Sequence, residues 1–178
     1  MEAHRVYQGR KFEIWVEPAS GRGGQPIPRE VIRHPGSVVI LPWVDADTLC
    51  LVRNRRPGVG KTLLELPAGT LTPGEPPLAA AQRELAEETG YSARTWRPLT
   101  WFYPSPGLLS EIMHLYVATD LTPGSMRLEA DEDLEPVLVS WSQALGWLQD
   151  GTLRDAKTMI GLLLWERQRG VEDAGCGA

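Results

Sequence analysis

Three glutamates in one short stretch carry the most informative chemistry of this chain. They are Glu84, Glu87 and Glu88, inside GTLTPGEPPLAAAQRELAEETGY at residues 69–91. Gly69, Glu75, Arg83, Leu85, Gly90 and Tyr91 are the other spaced points of the pattern. Pro76 and Pro77 suit a helix start, because a first-turn N–H has no partner to lose. The run from Leu78 to Glu88 consists of strong helix formers, and Gly90 suits the left-handed residue just past a helix end. The spacing therefore predicts a helix over Pro77–Thr89. On that helix Leu78, Ala81 and Leu85 form an apolar stripe able to pack on a sheet. Ala80, Glu84, Glu87 and Glu88 fall on another face, three and four residues apart. Three acids near a helix C-terminus repel one another and oppose the macrodipole, and a bound cation offsets that cost. Carboxylate oxygens are hard ligands that suit Mg²⁺ or Mn²⁺. Such a site fits cleavage of a pyrophosphate bond by an activated water. The fragment RELAEE alone fits an ordinary solvated helix better than a site. Gly69, Glu75 and Gly90 at their spacing move the reading toward chemistry.

The remaining sequence bounds the setting. A chain of 178 residues with a net charge of −5 is long enough for one domain with its own core. No Lys/Arg block stands out, which argues against nucleic-acid binding. Cys50 lies in an apolar run and Cys176 in a small-residue tail, so no disulfide framework is expected. The first residues lack an apolar signal core, and the apolar runs are too short to span a membrane. A cytoplasmic protein is the expectation.

The elements that must position the acids can be placed in outline. Residues 1–36 hold short strands at Val6–Tyr7, Phe12–Val16 and Val31–Arg33 around the turn-rich GRGGQPIP. They form an N-terminal β segment before a main domain at 37–170 and a tail at 171–178. Ser37–Pro42 is apolar enough for a central strand. With Thr48–Arg53 it is expected to make a hairpin across Asp45-Ala46-Asp47. Further strands are predicted at Leu63–Leu66, Trp96–Phe102, Ile112–Thr119 and Val137–Trp141. Helices follow at Ser142–Gln149 and Asp155–Arg169, with Gly151 as a stop and Asp155 as a cap.

The spaced pattern resembles the signature of the Nudix hydrolases, metal-dependent enzymes that cleave nucleoside diphosphates linked to another moiety. Leu51-Val52-Arg53-Asn54-Arg55-Arg56-Pro57 and Leu64-Glu65-Leu66-Pro67-Ala68-Gly69 are similar to segments of the ADP-ribose and ADP-sugar pyrophosphatase branch. So is Pro106, sixteen residues beyond Gly90, with Glu111 and His114–Ala118 after it. Asn54-Arg55 departs from the Gln-Tyr common there, and Tyr91 stands where a small aliphatic is common.

This resemblance implies an α/β/α sandwich with a mixed central sheet, and a homodimer built through the N-terminal segment. It implies hydrolysis of ADP-ribose or a related ADP-sugar to AMP and a sugar phosphate, with Mg²⁺ or Mn²⁺. The implied metal ligands are Glu84 and Glu88, then Glu87, with the Ala68 carbonyl. Glu75 holds Arg83, which orients a carboxylate. The general base is Glu132, in the acidic run Ala130–Glu135, or Glu87. Arg56 and Arg53 are candidates for the diphosphate, since guanidinium matches phosphate bidentately. Surface solubility is the plainer role for both. Glu111 touches the sugar or a metal, or is a strand-end surface acid. His114 reads as a packed histidine, and Trp101 as core. An aromatic of residues 1–36, such as Tyr7, Phe12 or Trp15, is available to stack on adenine.

Two rival readings share these residues. One keeps the chemistry but changes the substrate to GDP-mannose, another nucleotide sugar or a dinucleotide polyphosphate. The other is a non-catalytic nucleotide-binding module, which has no need of three clustered acids.

Overall fold

The run Ser37–Pro42 lacks polar alternation because both of its faces are covered. The computed structural model of the chain describes residues 2–128 and 133–175. Its ten strands are β1 (His4–Gln8), β2 (Glu13–Ser20), β3 (Pro26–Arg33), β4 (Ser37–Pro42), β5 (Thr48–Arg56), β6 (Lys61–Glu65), β7 (Ala68–Thr70), β8 (Tyr91–Phe102), β9 (Met113–Pro123) and β10 (Leu134–Ser140). The α-helices are α1 (Pro77–Thr89), α2 (Trp141–Gln149) and α3 (Ala156–Gly175).

Strand β4 lies inside a mixed sheet of order β7-β4-β9-β8, parallel to β9 and antiparallel to β7. Side chains alternate across a strand. Val38 and Ile40 therefore meet Ala80, Ala81 and Leu85 of α1 on one face. On the other, Val39 and Leu41 join Leu49, Leu51, Leu66, Leu115 and Leu162 in the larger core, which α2 and α3 close. Helix, mixed sheet and helices are the layers of the expected α/β/α sandwich, with the N-terminal β segment appended.

The expected β4–β5 hairpin does not form. Strand β5 belongs to a second, antiparallel sheet of order β10-β5-β6. The Asp45 carboxylate accepts the N–H groups of Asp47 at 2.9 Å and Thr48 at 2.8 Å. This tight side-chain turn carries the chain out of one sheet and into the next. Among the described residues the backbone links between the two runs are the Trp43–Leu49 bridge and the Val44 N–H to Thr48 bond.

Helix α1 has the bounds that the sequence predicts, and Gly90 adopts φ 73° while donating its N–H to the Ala86 carbonyl. Its buried ridge differs from the expected one. Leu78 is exposed, whereas Ala80 is fully buried. The face toward the sheet runs Ala80, Glu84, Glu88 beside Ala81, Leu85. Residues four apart share a ridge, so packing Ala80 inward also takes Glu84 and Glu88 inward.

Strands β1, β2 and β3 form their own antiparallel sheet. It joins the main domain where Ile32 donates to the Leu108 carbonyl and accepts from Ser110, both at 2.9 Å. Trp101, expected in the core, is 57% exposed. It sits on the edge strand β8 and packs edge-on against Tyr103, 5.5 Å between centroids. Cys50 is buried, and burial first, then the Glu88 charge, pushes its thiol up to about 12. Asp155 caps α3 by accepting the Thr158 N–H at 3.0 Å. No helix among the described residues is long and apolar enough to cross a membrane.

Candidate active site

Gly69 and Glu84 meet as bare backbone and carboxylate. A Cβ on Gly69 would lie 1.8 Å from the Glu84 carboxyl carbon, so only glycine leaves that acid its place. One turn further along α1, Glu88 accepts the Ala68 N–H at 3.0 Å. Glu84 and Glu88 are 6% and 3% exposed, unusual values for carboxylates.

Arg83 supplies the compensating charge. Its Nε and Nη2 grip Glu75, each at 3.0 Å. Its Nη1 donates to Glu84 at 2.7 Å and to Glu87 at 2.9 Å. The structure thus brings together Glu75, Arg83, Glu84 and Glu87 around one guanidinium. The Arg83 hydrogen bonds, opposed by burial and helped by Thr72, hold the Glu75 carboxyl down at about 2. The same bond to Glu75, against burial and with help from Glu84 and Glu87, holds Arg83 well above its ordinary value.

Among the described residues no three Asp, Glu, His or Cys side chains are gathered as a ready ligand set. The donors nevertheless suit a hard divalent cation. Two are buried carboxylates beside a backbone cradle that a Cβ would fill, and a positive group already bridges Glu84 to Glu87.

A cleft of about 1120 Å³ opens above these acids, between the β1–β2 turn and the Gly69 loop. Glu84, Glu88, Ala68, Arg56 and Glu111 all line it. Arg56 is anchored to Glu65 through Nε at 2.8 Å and Nη2 at 2.6 Å. Glu111 is buried, so the surface-acid reading fails for it. It takes the Ser37 hydroxyl proton bond, and His34 Nδ1 stands 3.5 Å away.

Arg53, Pro106 and Glu87 are not among the residues that line the cleft, although Arg83 ties Glu87 to Glu84 at its edge. Arg53 pairs with Glu135 and lines a separate surface depression, because alternation along β5 sends it to the face opposite Arg56. Pro106 is exposed in the loop before β9 and is absent from the cleft walls. Glu132 lies outside the described residues. Burial lowers the His114 pKa, which fits a packed histidine.

Among the aromatics, Phe12 lines the cleft and is 39% exposed, with Tyr7 packed on it at 5.9 Å. One face of Trp15 is covered by Arg33 at 3.9 Å. Sequence reading missed His34, Ser37 and Lys157, which line the cleft too. For Lys157 no local spacing connects it to the acids.

A family model described as NUDIX domain matches residues 33–161. The chain is 36% identical to the ADP-ribose pyrophosphatase of Bacillus subtilis (strain 168) over 156 residues, covering 86% of this chain and 84% of that one. It is 32% identical to the methanol dehydrogenase activator of Bacillus methanolicus over 174 residues, covering 97% and 94%. A solved structure of an ADP compounds hydrolase superposes with a TM-score of 0.82 at 26% identity, covering 97% of this chain and 94% of that one. The chain belongs to the NUDIX family and is a Nudix hydrolase.

Two outcomes follow from this geometry. Gly69→Ala is expected to fold but to expel the Glu84 carboxylate, reducing turnover by roughly 100-fold, the scale of an ångström-level misplacement. Circular dichroism and steady-state rates check it, and unchanged turnover refutes the role of the close approach. Glu75 has a folded-state pKa below its ordinary 4.5. Its contribution to stability is therefore present above that pH and lost as pH falls toward about 2. The melting-temperature gap between wild type and Glu75→Gln is expected to narrow over that window.

Proposed function

We propose that this hydrolase cleaves the pyrophosphate bond of ADP-ribose or a related ADP-sugar, releasing AMP and a sugar phosphate. The observation that carries the reading is a single cleft with buried carboxylates, a tethered guanidinium and an exposed aromatic on its walls. A nucleotide sugar offers a matching diphosphate, nucleobase and sugar. Glu84, Glu88 and Glu87, with the Ala68 carbonyl, are the proposed holders of Mg²⁺ or Mn²⁺. Such an ion, when bound, neutralises phosphate charge, polarises the P–O bond and activates water.

The side chains divide the remaining work. Arg83 keeps Glu84 and Glu87 in place. Glu87 is the least buried of the three acids, with a side chain 32% exposed, which suits a base that must meet water. Arg56 grips the diphosphate, since Glu65 uses its Nε and Nη2 but not its Nη1. Phe12 is the proposed platform for adenine. Glu111, fixed by Ser37, addresses the sugar hydroxyls.

The test is a panel of nucleotide sugars and dinucleotide polyphosphates with Mg²⁺ or Mn²⁺, with product identification. AMP from ADP-ribose is expected, and Glu88→Gln is expected to lose most turnover while staying folded. Preferential cleavage of GDP-mannose or a polyphosphate would overturn the substrate, and full activity of Glu88→Gln would overturn the metal assignment. Calorimetric binding without AMP release across both metals would instead indicate a binding module.

We also propose a homodimer through the N-terminal sheet. Edge strand β1 is exposed throughout, with Val6 and Tyr7 on its surface. Light scattering at micromolar concentration is expected to give twice the chain mass of 19.7 kDa; a monomer mass excludes it.

A further inference from the structure

We propose that Lys157, through Glu65, is a positioning residue that sets the Arg56 guanidinium at the cleft wall. The inference rests on the reading above in which Arg56 grips the diphosphate. Lys157 belongs to no signature, and it lies 101 residues from Arg56 in sequence (157 − 56). Its side chain is 7% exposed, yet it lines the same cleft. A lysine this buried requires paired charge.

Glu65 provides it. The Glu65 side chain is 1% exposed and accepts from three donors. Arg56 Nε meets Oε1 at 2.8 Å, Arg56 Nη2 meets Oε2 at 2.6 Å, and Lys157 Nζ bonds the same Oε2. Burial would raise the Glu65 pKa, but Arg56 and Lys157 outweigh it and leave the carboxyl below its usual range. Asp155 takes a second Lys157 contact at 3.0 Å. Two acids and two bases thus form a network of balanced formal charge.

The network is braced on both sides. Asp155 accepts the Thr158 hydroxyl at 2.6 Å, and Thr158 Oγ1 accepts the Leu66 N–H at 2.8 Å. The first turn of α3 is therefore fastened to the strand end that leads through Pro67 into Ala68 and Gly69. Without the Lys157 ammonium, Glu65 Oε2 is left with one donor in a buried setting. The flexible partner able to answer is Arg56, which is part-exposed and is drawn away from the cleft toward Glu65. Loss of grip on a diphosphate weakens ground state and transition state alike, which appears in KM more than in kcat.

A double-mutant cycle tests this with ADP-ribose and Mg²⁺. Arg56→Gln and Lys157→Met are each expected to raise KM by about 10-fold, with kcat within about twofold. The double variant is expected to stay within about twofold of Arg56→Gln, because both changes act on one group. Lys157→Arg is expected to recover KM to within about threefold of wild type. Thr158→Val, which removes the hydroxyl bonded to Asp155 and to the Leu66 N–H but leaves the Lys157–Glu65 pair, is expected to lower Tm and to raise KM by less than Lys157→Met does. Multiplied KM effects in the double variant, or a KM rise in Thr158→Val equal to that of Lys157→Met, overturn the proposal. If Lys157→Met does not fold, Glu65→Gln takes its place in the cycle with the same expected non-additivity. Failure of the functional reading looks different: wild type releases no AMP from any nucleotide sugar. The same cycle is then read by calorimetric binding of ADP-ribose, where additive losses again overturn the inference.

Discussion

The site depends on keeping two carboxylates against a strand end that has no side chain to exclude them. Removing a carboxylate from water costs several kcal/mol even after the surroundings relax. Here Glu84 and Glu88 are both withdrawn, on one ridge of one helix. Gly69 makes the space, the Ala68 N–H takes one oxygen of Glu88, and Arg83 takes one oxygen of Glu84. Each compensation is local and geometric. The packing of Ala80 and Leu85 on Val38 and Ile40 holds the helix at the distance where all of them work.

That arrangement explains why the helix could be read so fully. Proline start, glycine stop and the spaced acids are all short-range signals, and α1 begins and ends where they say. The face of the helix was less legible. An apolar-stripe argument favours Leu78 over Ala80, because it counts hydrophobicity and not closeness of approach. The sheet selects the small residue, since Ala80 lets the helix approach β4, and the acids follow it inward.

Longer-range features were harder to see. Strands β4 and β5 look like a hairpin from their short polar turn, but Asp45 folds that turn tightly enough to move the chain into another sheet. Arg53 and Arg56 look like equivalent phosphate ligands in sequence. Three residues apart on a strand, they point to opposite faces, and only Arg56 reaches the cleft. Glu111 looked equally like a surface acid, because nothing in its neighbours reveals that Ser37 and His34 enclose it.

The division between what was legible and what was not follows the division of labour in the site. The acids that suit a metal sit within one helix, and a continuous segment must carry them at fixed spacing. The other groups that line the cleft come from the β1–β2 turn, the end of β5, the start of β9 and the first turn of α3. Each stands there because of the fold and not because of its neighbours in sequence. Arg56 shows how the two halves are joined. It reaches the cleft from β5, but its orientation depends on Glu65 at the end of β6, the strand that leads into the Gly69 loop. A substitution at the β6–α3 junction thus acts on the Arg56 guanidinium and on the backbone beside the acids at once.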